Sequence, residues 1–143
     1  MSATTQKRHV STWMIGACGF WLVGLGLYFI VLRPSVLPED ARFMDTTAAQ
    51  IQDAVPGLER WLQKVFMVMG GFIASTGVLA VLVAAVAMPA RRNGTSWAIG
   101  LSGGFSVALM SAANFALRSD FRWMLLVPAL LWLAGLVLYV AKR

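Results

Sequence analysis

Cysteine and histidine are almost missing from this chain, with one of each, Cys18 and His9, among 143 residues. A lone thiol makes no internal disulfide, and one thiol with one imidazole falls short of a four-ligand zinc shell. Paired-cysteine redox chemistry and bis-histidine haem ligation are excluded on the same ground. No metal and no cofactor is expected. Charge is scarce as well: 13% of the residues are charged, against about 25% in soluble domains. Acidic residues number six, with Glu39, Asp40, Asp45, Asp53 and Glu59 in one segment and Asp120 apart. The net charge of +6 would suit nucleic acid, but the basic residues flank apolar runs and form no stripe on a soluble face. No nucleic-acid partner is expected.

What is present is long apolar sequence, 59% of the chain being hydrophobic. A bilayer core about 30 Å thick takes around 20 apolar helical residues. Four stretches meet that length, Trp13–Leu32, Val65–Met88, Trp97–Leu117 and Trp123–Ala141, and none holds Asp, Glu, Lys or Arg. Hydrocarbon offers the backbone no hydrogen bonds, so runs this long must be helices. Trp13, Trp61, Trp97, Trp123, Tyr28 and Tyr139 fall near the ends of these runs, where aromatic belts form. The expected fold class is an all-α membrane protein, one integral domain over 1–143. It is expected to form a four-transmembrane-helix bundle with short interfacial helices in the first loop, residues 33–64.

Lys7 and Arg8 before the first run imitate a signal peptide, and Ile15-Gly16-Ala17-Cys18 imitates a lipoprotein box. No small-x-small cleavage site follows, and the chain stays apolar after Cys18, so the run reads as a retained span. Four spans put both termini on one side. Lys7, Arg8, Arg91, Arg92, Lys142 and Arg143 share that side with no acidic residue; Arg33, Arg42, Arg60, Lys64, Arg118 and Arg122 share the other with all six. The basic counts tie, and density next to the spans decides for cytoplasmic termini. Nine arginines to three lysines, with abundant alanine, is the composition of a GC-rich bacterial genome. A bacterial inner membrane is the expected location.

In the first loop, Pro38-Glu39-Asp40 has the form of a helix start. Thr47 with Gln50 has the spacing of a capping box, after which Ala48, Ile51 and Val55 share a face. Pro56-Gly57 ends that helix, and helical spacing from Leu58 leads into the second span. Arg33, Glu39, Asp40 and Arg42 are the polar residues most suited to meeting a partner, because Pro34, Pro38 and Pro56 stiffen the loop that presents them. Across the membrane from the termini, Arg118, Asp120 and Arg122 form a second charged cluster, within reach of the first-loop carboxylates.

Catalysis finds little support. No ionisable residue stands inside a span to mark an ion path or proton relay. Gly100-Leu101-Ser102-Gly103 matches the G-x-S-G pattern around an intramembrane serine nucleophile, but the lone His9 precedes the first span, leaving Ser102 without a base. Small residues recur every four positions at Gly100, Gly104, Ala108, Ala112 and Ala116, and Gly70, Ala74 and Gly77 make a shorter patch. Such rows let helices approach closely, within the bundle or between copies. Ser102, Ser106 and Asn114 lie on an adjacent face and could line a polar crevice, although serines in spans commonly bond their own preceding turn. Pro128 is expected to kink the fourth helix.

Arg33-Pro34, Leu37-Pro38-Glu39-Asp40, Pro56-Gly57-Leu58 and Val68-Met69-Gly70-Gly71 resemble small, uncharacterised four-helix proteins of bacterial inner membranes. That resemblance covers mainly the first loop and second span, implies the four-helix architecture and carries no catalytic residues with it. The leading functional expectation is a non-enzymatic accessory or scaffold subunit acting through its helix faces and loop. Its partners would be the lipid bilayer and a membrane protein or a second copy of the chain. The alternative is a small transporter or lipid-binding bundle.

Overall fold

A computed structural model describes residues 3–141, with side chains from Val10 onward. The side chains of Lys7, Arg8 and His9, and the whole of Lys142 and Arg143, lie outside that description, and these basic residues carry much of the orientation argument. The described residues are all-helical, without strands. Helix α1 (Ala3–Val31) is followed by two short helices, α2 (Pro38–Phe43) and α3 (Ala48–Ala54). Helix α4 (Leu58–Leu82) runs on through a π-helical turn (Val83–Ala87). Helix α5 (Thr95–Gly103) passes through a second π turn (Gly104–Ala108) into α6 (Leu109–Ala116), and α7 (Arg122–Val140) completes the chain. Four segments are long and apolar enough to cross a membrane: Val10–Val31, Leu58–Ala87, Thr95–Ala116 and Arg122–Val140. Helix α1 begins well ahead of Trp13 because helical hydrogen bonding continues past the end of an apolar run, which alone marks the boundary in the sequence.

The surface is as apolar as the interior. Trp13, Phe20, Trp61, Phe72, Trp97, Phe105 and Trp123 are all exposed. Water would drive such a surface to associate, and lipid would not. The four tryptophans at helix ends face outward, whereas Trp132 is buried and donates its indole N–H to the Ile99 carbonyl at 2.9 Å.

Helices α1 and α4 meet through four glycines. Gly19 faces Gly77 and Gly26 faces Gly70, each pair close enough that a Cβ on either glycine would come within 2.8 Å of the partner's carbonyl oxygen. Ala74 fits between them, its backbone N–H beside Gly26. Both pairs stand seven residues apart on each helix, two turns at the 3.5-residue repeat of antiparallel helices crossing at a shallow angle. Helix α7 packs on the other side of α1: Gly135 receives Ile15, and Cys18 donates through Sγ to the Pro128 carbonyl at 3.3 Å. Pro128 lies inside α7 and is fully buried; its missing N–H leaves the Met124 carbonyl without a helical donor.

The third span presents a different face from the one its small residues suggest. The buried row is Thr95, Ile99, Gly103, Val107 and Ser111, one position ahead of Gly100, Gly104, Ala108 and Ala112. Gly104, Ala108 and Ala112 are exposed, and a Cβ on Gly104 would meet nothing. Within this chain that row is therefore not the packing seam. A four-residue repeat drifts by about 40° per step around an α-helix, but the wider π turn at Gly104–Ala108 takes up that drift. Gly103, in the buried row, sits directly under the Trp132 indole, where a Cβ would overlap the ring.

Among the described residues, left-handed turns follow three helix ends, at Asp45, Arg91 and Arg118, and two of them bear on the site. Asp45 and Arg118 have φ of 51° and 52°. In each, a pair of backbone bonds, Thr46 N–H to Ala41 and Asp45 N–H to Arg42, Ser119 N–H to Asn114 and Arg118 N–H to Phe115, completes a Schellman cap. These caps turn the chain back over the ends of α2 and α6 and bring both connections together.

Candidate functional site

Local sequence chemistry sets the first wall of the site. Asp40 Oδ2 accepts the Leu37 N–H at 2.9 Å and starts α2 behind Pro38. In α3, Thr47 Oγ1 accepts the Gln50 N–H at 3.2 Å and Gln50 Oε1 accepts the Thr47 N–H at 3.1 Å, the reciprocal box its spacing implies. Of the face Ala48, Ile51 and Val55, Ile51 alone is buried.

Helix α2 is held onto the connection between α6 and α7. Glu39 accepts from Ser119 Oγ at 2.8 Å with one carboxylate oxygen and from the Asp120 N–H at 3.1 Å with the other. Ser119 is 1% exposed. Beside it Arg42 pairs with Asp120 at 3.0 Å, both side chains more than half exposed. Arg33 pairs with Asp40 at 3.5 Å, donates to the Pro34 carbonyl at 3.0 Å and stacks its guanidinium 3.5 Å from the Phe66 ring centre. Burial lowers the Arg33 pKa from its ordinary value, opposed by the charges of Asp40, Tyr28 and Glu39. A guanidinium keeps its proton under such conditions, so a cation is fixed at the end of α1.

Arg33, Glu39, Asp40 and Arg42, which the sequence offers as partner contacts, thus all have partners within the chain. The contacts are unequal in strength. An exposed ion pair is worth under about 1 kcal/mol, whereas a bond to a charged group is worth about 1.5–3 kcal/mol. Glu39→Ala is accordingly expected to speed amide hydrogen exchange over residues 40–43 and at Asp120 by about tenfold or more. Arg42→Ala should speed it no more than about fivefold. Equal opening in the two variants would show that the Glu39 contacts do not hold the connection down.

Under α2 lies a cavity of about 260 Å³ between α1, α6 and α7. Leu25, Tyr28 and Phe29 line it from α1, Met110 and Asn114 from α6, Phe121, Met124 and Leu125 from the start of α7, and Arg33, Leu37 and Glu39 from the long connection. Its walls are apolar over most of their area, and its polar groups gather at the α2 end. The ionisable side chains in the lining are Tyr28, Arg33 and Glu39. Helix α7 meets α1 closely away from the cavity, where Gly135 receives Ile15.

Ser102, Ser106 and Asn114 are not brought together. Ser106 Oγ donates to the Ser102 carbonyl and Asn114 Nδ2 to the Met110 carbonyl, each bonding its own preceding turn; Asn114 alone reaches the cavity. Sequence reasoning missed Ser119, whose hydroxyl looks like any loop serine, and the cavity walls Leu25, Met110 and Met124, which are indistinguishable from lipid-facing residues. It also missed Gly19 and Gly26, although their seven-residue separation repeats that of Gly70 and Gly77. No family model, curated protein or solved structure matches the chain.

Proposed function

We propose that the chain is a polytopic membrane protein that binds, without transforming, the apolar portion of a lipid-like amphiphile in the cavity under α2. The carrying observation is the form of that cavity: apolar walls along the helices, with Arg33, Glu39 and Asn114 collected at one end. An amphiphile in a bilayer has the same order of parts. At about 260 Å³ the space falls just under the roughly 300 Å³ at which small-molecule sites begin, enough for a segment of one chain and too little for a whole lipid. With both termini in the cytoplasm of a bacterial cell, the cavity belongs to the extracytoplasmic leaflet of the inner membrane.

Photocrosslinking tests this reading. A phospholipid carrying a diazirine in one tail, retained through extensive detergent washing, is expected to label the peptides of Leu25 and Met110 and to spare the outward-facing Phe72. Met110→Trp, which fills the space, should abolish that labelling. Washed protein labelled equally at Phe72, or equally well in the filled variant, would remove the cavity from consideration.

A second reading, an accessory or scaffold subunit, draws on the exposed row Gly104, Ala108 and Ala112 with Gly100 at its edge. Small residues facing outward leave room for a helix of another protein or of a second copy.

A further inference from the structure

At the polar end of the cavity two neighbouring carboxylates, Glu39 and Asp40, face one cation, Arg33. Glu39 makes no direct ion pair among the described residues: its two bonds come from a hydroxyl and a backbone N–H, and it shares the nearby cation Arg33 with Asp40. A carboxylate has about four acceptor sites, so Glu39 retains capacity. Asn114 spends Nδ2 on the Met110 carbonyl, and its Oδ1 takes no bond from any described residue. Arg33, the cation on the same wall, is already matched by Asp40 and seated on Phe66. The local demand is for a cationic group that donates several hydrogen bonds, and a primary ammonium supplies three N–H donors with one positive charge.

We infer that the cavity selects a phospholipid with a primary amine in its headgroup, the ammonium meeting Glu39 and Asn114 and one acyl chain lying against Leu25, Met110 and Met124. This rests on the amphiphile-binding reading above and adds the headgroup. A quaternary ammonium carries the same charge but no N–H, and a glycerol headgroup leaves the lipid anionic before a wall with one carboxylate in excess of its cation. Both should be disfavoured.

The test uses the full chain in vesicles of equimolar phosphatidylethanolamine, phosphatidylcholine and phosphatidylglycerol with identical acyl chains, followed by native mass spectrometry of the retained lipid. Phosphatidylethanolamine is expected to exceed each of the others about tenfold, the value of one hydrogen bond between charged groups. Glu39→Gln should erase most of that preference. Asn114→Leu, which leaves the α2 contacts untouched, should reduce it. Equal retention of the three lipids, or a preference unchanged in both variants, would overturn the headgroup assignment. Met110→Trp separates the two levels: if it strips all retained lipid while the headgroups are treated alike, the cavity reading stands and the amine assignment falls. If it strips none, both fall.

Discussion

Gly26→Ala is expected to destabilise the protein by about 1–3 kcal/mol or more, the cost of forcing extra atoms into a closed contact. The added Cβ would lie 2.5 Å from the Ala74 nitrogen and 2.6 Å from the Gly70 oxygen. Both are backbone atoms, unable to step aside as a side-chain end does, so α1 and α4 must separate along a seam that also holds Gly19 and Gly77. Gly24→Ala supplies the contrast. Two residues earlier, a Cβ meets nothing within 4 Å, and alanine is favoured over glycine in a helix by about 1 kcal/mol. The two substitutions should therefore move the thermal midpoint in detergent in opposite directions. A loss at Gly24 as large as that at Gly26 would mean that the seam is not where stability resides.

Trp132→Ala should cost about 3–5 kcal/mol, the range for deleting a large buried aromatic. The indole is 4% exposed and fills the notch over Gly103, with its N–H satisfied by the Ile99 carbonyl. Trp132→Phe removes that donor and part of the ring and should cost less. Gly103→Ala fails for the reverse reason, since its Cβ would enter the indole. In the double variant Gly103→Ala/Trp132→Phe the smaller ring leaves room for the methyl group, so the combined loss should be smaller than the sum of the single losses. A double-mutant cycle in detergent measures that coupling. Additive losses would show that the notch is loosely filled.

The four long helices were legible because apolar length is a one-dimensional property: a run of 20 residues without charge has few alternatives. Pro38-Glu39-Asp40 and the Thr47/Gln50 box were legible for a related reason, since capping is settled within four residues. The seam in the third span was not. The small-residue row at Gly104, Ala108 and Ala112 and the buried row through Gly103 and Val107 differ by one residue in phase, and a π turn that shifts phase leaves no compositional mark. The cavity was illegible because a leucine or methionine beside lipid and one beside a void obey the same preference. Glu39 was visible as a carboxylate in a connection, but its contact with Ser119 spans 80 residues, a distance at which a single sequence carries no pairing signal.

That separation has a consequence for how the molecule comes into being. Ribosomes add roughly 5–20 residues per second, so Ser119 follows Glu39 by about 4–16 s. During that interval the first hairpin can already join through Gly19, Gly26, Gly70 and Gly77, all made before the third span begins. The Glu39 carboxylate then lacks the Ser119 and Asp120 donors that hold it in the finished fold. Only when the second hairpin arrives do Met110, Asn114 and Met124 supply the far walls. The cavity under α2 is thus the last part of the molecule to be made, its far walls set against a first hairpin that is already in place.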